Sequence, residues 1–131
     1  MRAFQTARSA GFCFGVQRAV ELAEQALEQG PCWCLGELIH NTAVVERLAG
    51  AGMRTVESPE EVPAGGRVII RSHGVGKATV AALEAGGAVI LDATCPKVSH
   101  IHRLVEDAEA RGRLPVVIGD DGHPEVRAIR G

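Results

Sequence analysis

The residues able to do chemistry in this chain are few, and most sit between the periodic segments. Its cysteines are Cys13, Cys32, Cys34 and Cys95, and its histidines are His40, His73, His100, His102 and His123. Thiolates bind soft metals and iron–sulfur clusters. Histidines donate hydrogen bonds to phosphate oxygens, and helix N-termini add backbone N–H groups and a positive dipole end. Cys13 and Cys95 each stand just before an expected helix, where a thiolate is electrostatically favoured. Glu125 lies two residues after His123 and is a candidate proton donor if its surroundings raise its pKa. Together these types describe a metal or cluster site beside an anion pocket.

Other readings of the same residues are plainer. A free cysteine such as Cys13 or Cys95 is often a small core residue. Cys32 and Cys34 lie two apart on an expected strand, so both point to one face. A C-x-C pair can ligate, but a buried strand is the simpler account. His100 and His102 are about 200° apart around a helix and cannot chelate one metal together. Glu125 also suits a helix N-terminus, where acids are common. Gly11 and Gly15 make a Gly-rich entry to a helix, yet neither G-x-G-x-x-G nor a G-K-S/T element is present.

The elements that must position these residues alternate. Val16, Ala19, Val20, Ala23, Ala26 and Leu27 fall on one face of a helix over residues 16–29. Gly30 and Pro31 stop it. Residues 32–35 make a short apolar strand, followed by a loop to His40. Asn41 or Thr42 caps a helix running to about Leu48. Residues 54–56 suit a strand, 58–66 a loop and 67–71 (R-V-I-I-R) a firm strand. Ser72, His73 and Gly74 turn the chain into a helix over 77–85. Residues 88–91 form another buried strand. Pro96 then opens a helix to about Arg111, at the position where proline costs no hydrogen bond. Val98, Ile101, Val105 and Ala108 mark its buried face. A last strand is expected over 116–119.

Strands alternating with helices imply parallel βαβ units and an α/β fold. In open α/β sheets, ligands bind outside the carboxyl ends of the strands. His40, His73, Cys95, His123 and Glu125 each follow an expected strand, and Cys13 follows the first segment. The sheet should therefore gather them along one edge.

Composition fits this picture and excludes others. The chain has 131 residues, 46% hydrophobic and 23% charged, which is ordinary for a globular domain. Aromatics are only 3%, so Ala, Val, Ile and Leu must build the core. The net charge is -2 and no Lys/Arg run exists, which argues against nucleic acid as a partner. No apolar run of spanning length and no signal-peptide h-region are present, so a cytoplasmic, membrane-free protein is expected. In that compartment thiols stay reduced, and cysteines are ligands, nucleophiles or core before they are disulfides.

The motifs match a family. Gly11-Phe12-Cys13-Phe14-Gly15-Val16, continuing Gln17-Arg18-Ala19-Val20, resembles the first cluster-cysteine motif of the 4-hydroxy-3-methylbut-2-enyl diphosphate reductases. Leu38-Ile39-His40-Asn41 resembles their first histidine motif, and Arg71-Ser72-His73-Gly74-Val75 their second. Asp92-Ala93-Thr94-Cys95-Pro96 is similar to the second cysteine motif. Gly122-His123-Pro124-Glu125-Val126 is similar to the third histidine motif, with the catalytic glutamate two residues on. The motifs come in the family's order and span essentially the whole chain.

The resemblance implies roles. Cys13 and Cys95 would be two of three thiolate ligands of a [4Fe–4S] cluster. His40, His73 and His123 would bind the substrate near its diphosphate, and Glu125 would feed protons to a two-electron reductive dehydroxylation. The products would be isopentenyl and dimethylallyl diphosphate, the last step of the non-mevalonate route to isoprenoids. The partners would be the isoprenoid diphosphate and an electron donor such as ferredoxin or flavodoxin. The family's fold is three similar α/β units around a central cluster. Residues 1–95 would be the first unit, with an N-terminal cluster-cysteine strand, and 96–131 the start of the second. The family's third cluster cysteine has no counterpart after Cys95. Turnover by this chain alone is not expected without the remainder of the enzyme or a second copy of the chain. The rival expectations are a small zinc-binding module and a scaffold that keeps the fold without the cofactor.

Overall fold

The computed structural model describes residues 3–131. Its first helix, α1 (Phe14–Glu28), is followed by strand β1 (Cys32–Leu35), helix α2 (Thr42–Gly50) and strand β2 (Met53–Val56). A 3-10 turn over Pro59–Glu61 leads to β3 (Arg67–Ile70), α3 (Lys77–Ala85) and β4 (Val89–Asp92). The chain ends with α4 (Pro96–Ala110) and α5 (Pro124–Arg130).

The strands form one parallel sheet in the order β2-β1-β3-β4. Parallel pairing follows from the helical crossovers, which return each strand in the same direction. Between β1 and β3 the winding reverses. The chain leaves β1 through α2 towards β2, and leaves β3 through α3 towards β4. Such a reversal opens a crevice at the carboxyl ends of the two central strands.

Side-chain alternation sorts the core into two layers. Cys32, Cys34, Met53 and Ile69 face Ala19, Val20, Ala23 and Ala26 of α1 and Leu48 of α2. Leu35, Val56 and Val68 face Leu83 of α3 on the other side. The small residues of α1 let it lie close to the sheet. Burial of Leu48, Ile69 or Leu83 contributes about 1.5–3 kcal/mol each. Asn41 caps α2 by accepting from the Val44 N–H at 3.1 Å, and Pro96 opens α4.

The chain ends depart from expectation. Among the described residues, 3–13 contain no strand where an N-terminal cluster-cysteine strand is expected. Residues 113–118 are irregular as well, so the strand expected over 116–119 is missing. Ile118 is 95% exposed and Val116 79%. A strand needs a hydrogen-bonded neighbour, and among the described residues none lies beside this segment. On α4, Val98 is buried as its pattern predicts, but Ile101 stays exposed. The same apolar face lacks a cover there. Conversely, α5 is a helix that periodicity had not marked.

Candidate active site

Three loops leave the carboxyl ends of β1, β3 and β4, and they carry His40, His73 and Cys95. Backbone hydrogen bonds tie them beyond the strand ends. The Ser72 N–H donates to the Leu38 carbonyl at 3.2 Å, and the Cys95 N–H donates to the Ser72 carbonyl at 2.9 Å. The ladder β1-β3-β4 thus continues into the loops. Gly74 completes the turn after His73 with φ +74°, a conformation that costs a side-chain-bearing residue about 1–2 kcal/mol.

The histidines converge. The His40 and His73 rings lie 4.5 Å apart, His73 and His123 5.7 Å, and His40 and His123 6.1 Å. His123 reaches the group from the N-cap of α5, where its Nδ1 accepts from the Glu125 N–H at 3.2 Å. That bond leaves Nε2 as the proton-bearing nitrogen of the neutral ring. Glu125 is half-buried in the first turn of α5 beside this cluster.

His73 is the least exposed of the group. Its pKa is pushed down to about 4, first by burial and then by the charges of His40, Arg71 and His123. Its Nδ1 is buried without a hydrogen-bond partner, as is Nε of Arg71. The Arg71 Nε–H lacks an acceptor and the His73 Nδ1 lacks a hydrogen-bond partner, so this corner is short of polar contacts. An anion with several oxygens meets that need.

The cysteines divide into two kinds. Cys32 and Cys34 are fully buried among the α1 and α2 contacts. Burial raises both thiols, Cys34 to about 12, so they are inert. Cys13 and Cys95 instead stand at the N-caps of α1 and α4, with no side-chain capping bond. Cys13 is exposed and Cys95 half-buried. Cys95 lies directly against Gly15, two residues after Cys13. A Cβ added at Gly15 would come within 2.5 Å of Cys95 Sγ. Only glycine there lets the two thiol-bearing segments meet.

The sequence marks the histidines and cysteines as site candidates but gives no role to the residues that hold them. Ser72 acts through its backbone, which no side-chain pattern reveals. Arg71 and Arg18 lie inside the family motifs, but the motifs assign them no role. His100 and His102 make no ring contact with the histidine cluster, although His102 packs against Gly74. Among the described residues, no three of His, Cys, Asp and Glu are arranged to hold a single metal ion.

Comparison with known proteins identifies the lineage. The family model described as LytB protein matches residues 5–131. The chain belongs to the LytB family. Among LytB relatives, the 4-hydroxy-3-methylbut-2-enyl diphosphate reductase of Caldanaerobacter subterraneus subsp. tengcongensis is 42% identical over 130 residues. That match covers 95% of this chain and 45% of the relative. The enzyme of the same name from Ralstonia nicotianae is 41% identical, with 95% and 39% covered. The Plasmodium falciparum reductase structure superposes with a TM-score of 0.89 at 29% identity, over 93% of this chain and 39% of that one. A second structure, of an (E)-4-hydroxy-3-methyl-but-2-enyl diphosphate reductase described as the terminal enzyme of the non-mevalonate pathway, gives 0.83 at 43% identity, with 95% and 44% covered. The chain therefore spans about two-fifths of the length of these LytB proteins. No helix among the described residues is long and apolar enough to cross a membrane.

Proposed function

We propose that this chain supplies part of the substrate and cluster site of a 4-hydroxy-3-methylbut-2-enyl diphosphate reductase acting in the cytoplasm. The observation that carries the reading is the convergence of His40, His73 and His123 beside the loop that bears Cys95. An isoprenoid diphosphate brings the oxygens that the unpaired nitrogens of His73 and Arg71 lack.

Cys13 and Cys95 fit two corners of a [4Fe–4S] cluster. Both are at helix N-termini, free of capping bonds and brought together by Gly15. Cys32 and Cys34 do not fit, because the sheet and α1 enclose them. A third thiolate would come from chain beyond these residues or from a second copy. When bound, the cluster supplies electrons one at a time and an iron with an open position for the substrate hydroxyl.

The protein residues do the rest. His40, His73 and His123 hold the diphosphate and fix the allylic carbon relative to the thiol pair. Glu125, anchored beside His123, delivers a proton to the departing hydroxyl. The C–O bond breaks, two electrons and two protons are consumed, and the oxygen leaves as water. The electrons arrive from a donor such as ferredoxin or flavodoxin.

The test is anaerobic reconstitution, followed by iron and acid-labile sulfide analysis, an absorption spectrum and the mass of the assembly. Near-equal iron and sulfide with a brown band, lost in Cys13→Ser and Cys95→Ser, support the reading. Retention of that band in both variants would falsify it. Zinc bound without sulfide would favour a zinc module instead.

A further inference from the structure

We propose that Arg18 is a positioning residue that fixes the Cys95 thiol relative to Cys13. Arg18 lies one turn into α1, the helix whose N-cap is Cys13. Its guanidinium crosses to the end of β4 and the loop that follows. Nη1 donates to the Thr94 carbonyl at 3.3 Å and Nη2 to the Asp92 carbonyl at 3.2 Å. The planar fork of arginine suits two acceptors held a fixed distance apart, which a lysine ammonium cannot match.

The acceptors are themselves fixed. Asp92 Oδ1 accepts from the Thr94 N–H at 2.8 Å, closing a tight turn immediately before Cys95. On the far side, the Cys95 N–H is held by the Ser72 carbonyl. The loop bearing Cys95 is therefore clamped between Arg18 of α1 and Ser72 of the β3 loop. Because Arg18 and Cys13 ride on one rigid helix, the clamp sets the spacing of the two thiols. Gly15 keeps the intervening space open for Cys95 Sγ.

This inference rests on the reductase reading for its purpose, but its geometry is testable without a cluster. In the metal-free chain, well below its unfolding temperature, the alkylation rate of Cys95 by iodoacetamide is followed by mass spectrometry, with Cys13 as the internal reference. Arg18→Gln should raise the Cys95 rate several-fold and leave Cys13 unchanged. Arg18→Lys should behave like Arg18→Gln, because charge without the fork does not hold two carbonyls. Asp92→Ala opens the same turn without touching α1 and should raise the Cys95 rate too, which covers the case of an Arg18 variant that fails to fold. After reconstitution, Arg18→Gln should hold less than half the iron and sulfide of the unsubstituted chain. A lowered unfolding temperature with unchanged Cys95 reactivity and iron would reduce Arg18 to a structural tie and overturn the proposal. Full restoration by lysine would overturn it as well. If the unsubstituted chain takes up no iron, cluster binding by this chain alone is ruled out, while the alkylation rates still decide the role of Arg18.

Discussion

The Cys95 amide donates to the Ser72 carbonyl at 2.9 Å, so the loop of one candidate ligand is bonded to the loop that presents His73. Neither residue lies in a strand, yet both continue the sheet's hydrogen-bond ladder. Amide hydrogen exchange should show it. The Cys95 and Ser72 amides are expected to exchange as slowly as those of β3, and far more slowly than those of residues 113–118. Fast exchange at both would mean that the loops open independently of the sheet.

Gly15 packs directly against Cys95 Sγ. Gly15→Ala places a methyl group against Cys95 Sγ and should cost about 1–3 kcal/mol through overpacking. Thermal unfolding measures that cost. The same variant should lose reconstituted iron, because the thiol must move away. An unchanged melting temperature and iron content would show that Cys95 has free room there.

The cysteines should separate by reactivity. Burial raises Cys34 to about 12 and Cys32 in the same direction, so neither should be alkylated in the folded protein at neutral pH. Exposed Cys13 should be modified first. Cys34→Ser puts a hydroxyl without a partner in the core and should destabilise by about 1–3 kcal/mol. It should leave iron binding intact in whatever protein remains folded. Rapid labelling of Cys34 in the native state would contradict its packing.

His73 should make stability depend on acid. Its folded pKa is about 4, against a reference of 6.5, chiefly through burial and then through His40, Arg71 and His123. Between those values the unfolded chain binds a proton that the folded chain refuses. The stability contributed by neutral His73 is thus present above about pH 6.5 and is lost as the pH falls through about 4. His73→Asn should flatten this part of the denaturation profile. Inorganic pyrophosphate should raise the His73 midpoint in an NMR titration, since an anion favours the imidazolium. A midpoint near 6.5 without ligand would show that the ring is solvated.

The exposed segment over 114–118 should be energetically idle in this chain. Ile118→Lys is expected to change stability by no more than about 0.5 kcal/mol, as surface substitutions do. Equilibrium denaturation checks it. A loss of several times that size would mean that Ile118 packs against something in solution.

Much of this molecule was legible in its residues. The βαβ alternation, the Asn41 cap, Pro96 at the start of α4 and the burial of Cys32 and Cys34 all follow from periodicity and local backbone chemistry. The motifs around Cys13, His40, His73, Cys95 and His123 named the candidate site. These are local properties, written over a few residues each. What the sequence could not state is which strands become neighbours. The order β2-β1-β3-β4 is chosen by pairing across the fold, and it alone brings His40 to 4.5 Å from His73. The same dependence on a neighbour explains the strand that did not form over 116–119, where the right residues have no edge to join. The fork of Arg18 and the space at Gly15 also belong to the tertiary structure. Each spans more than 70 residues of sequence, and only packing decides such contacts.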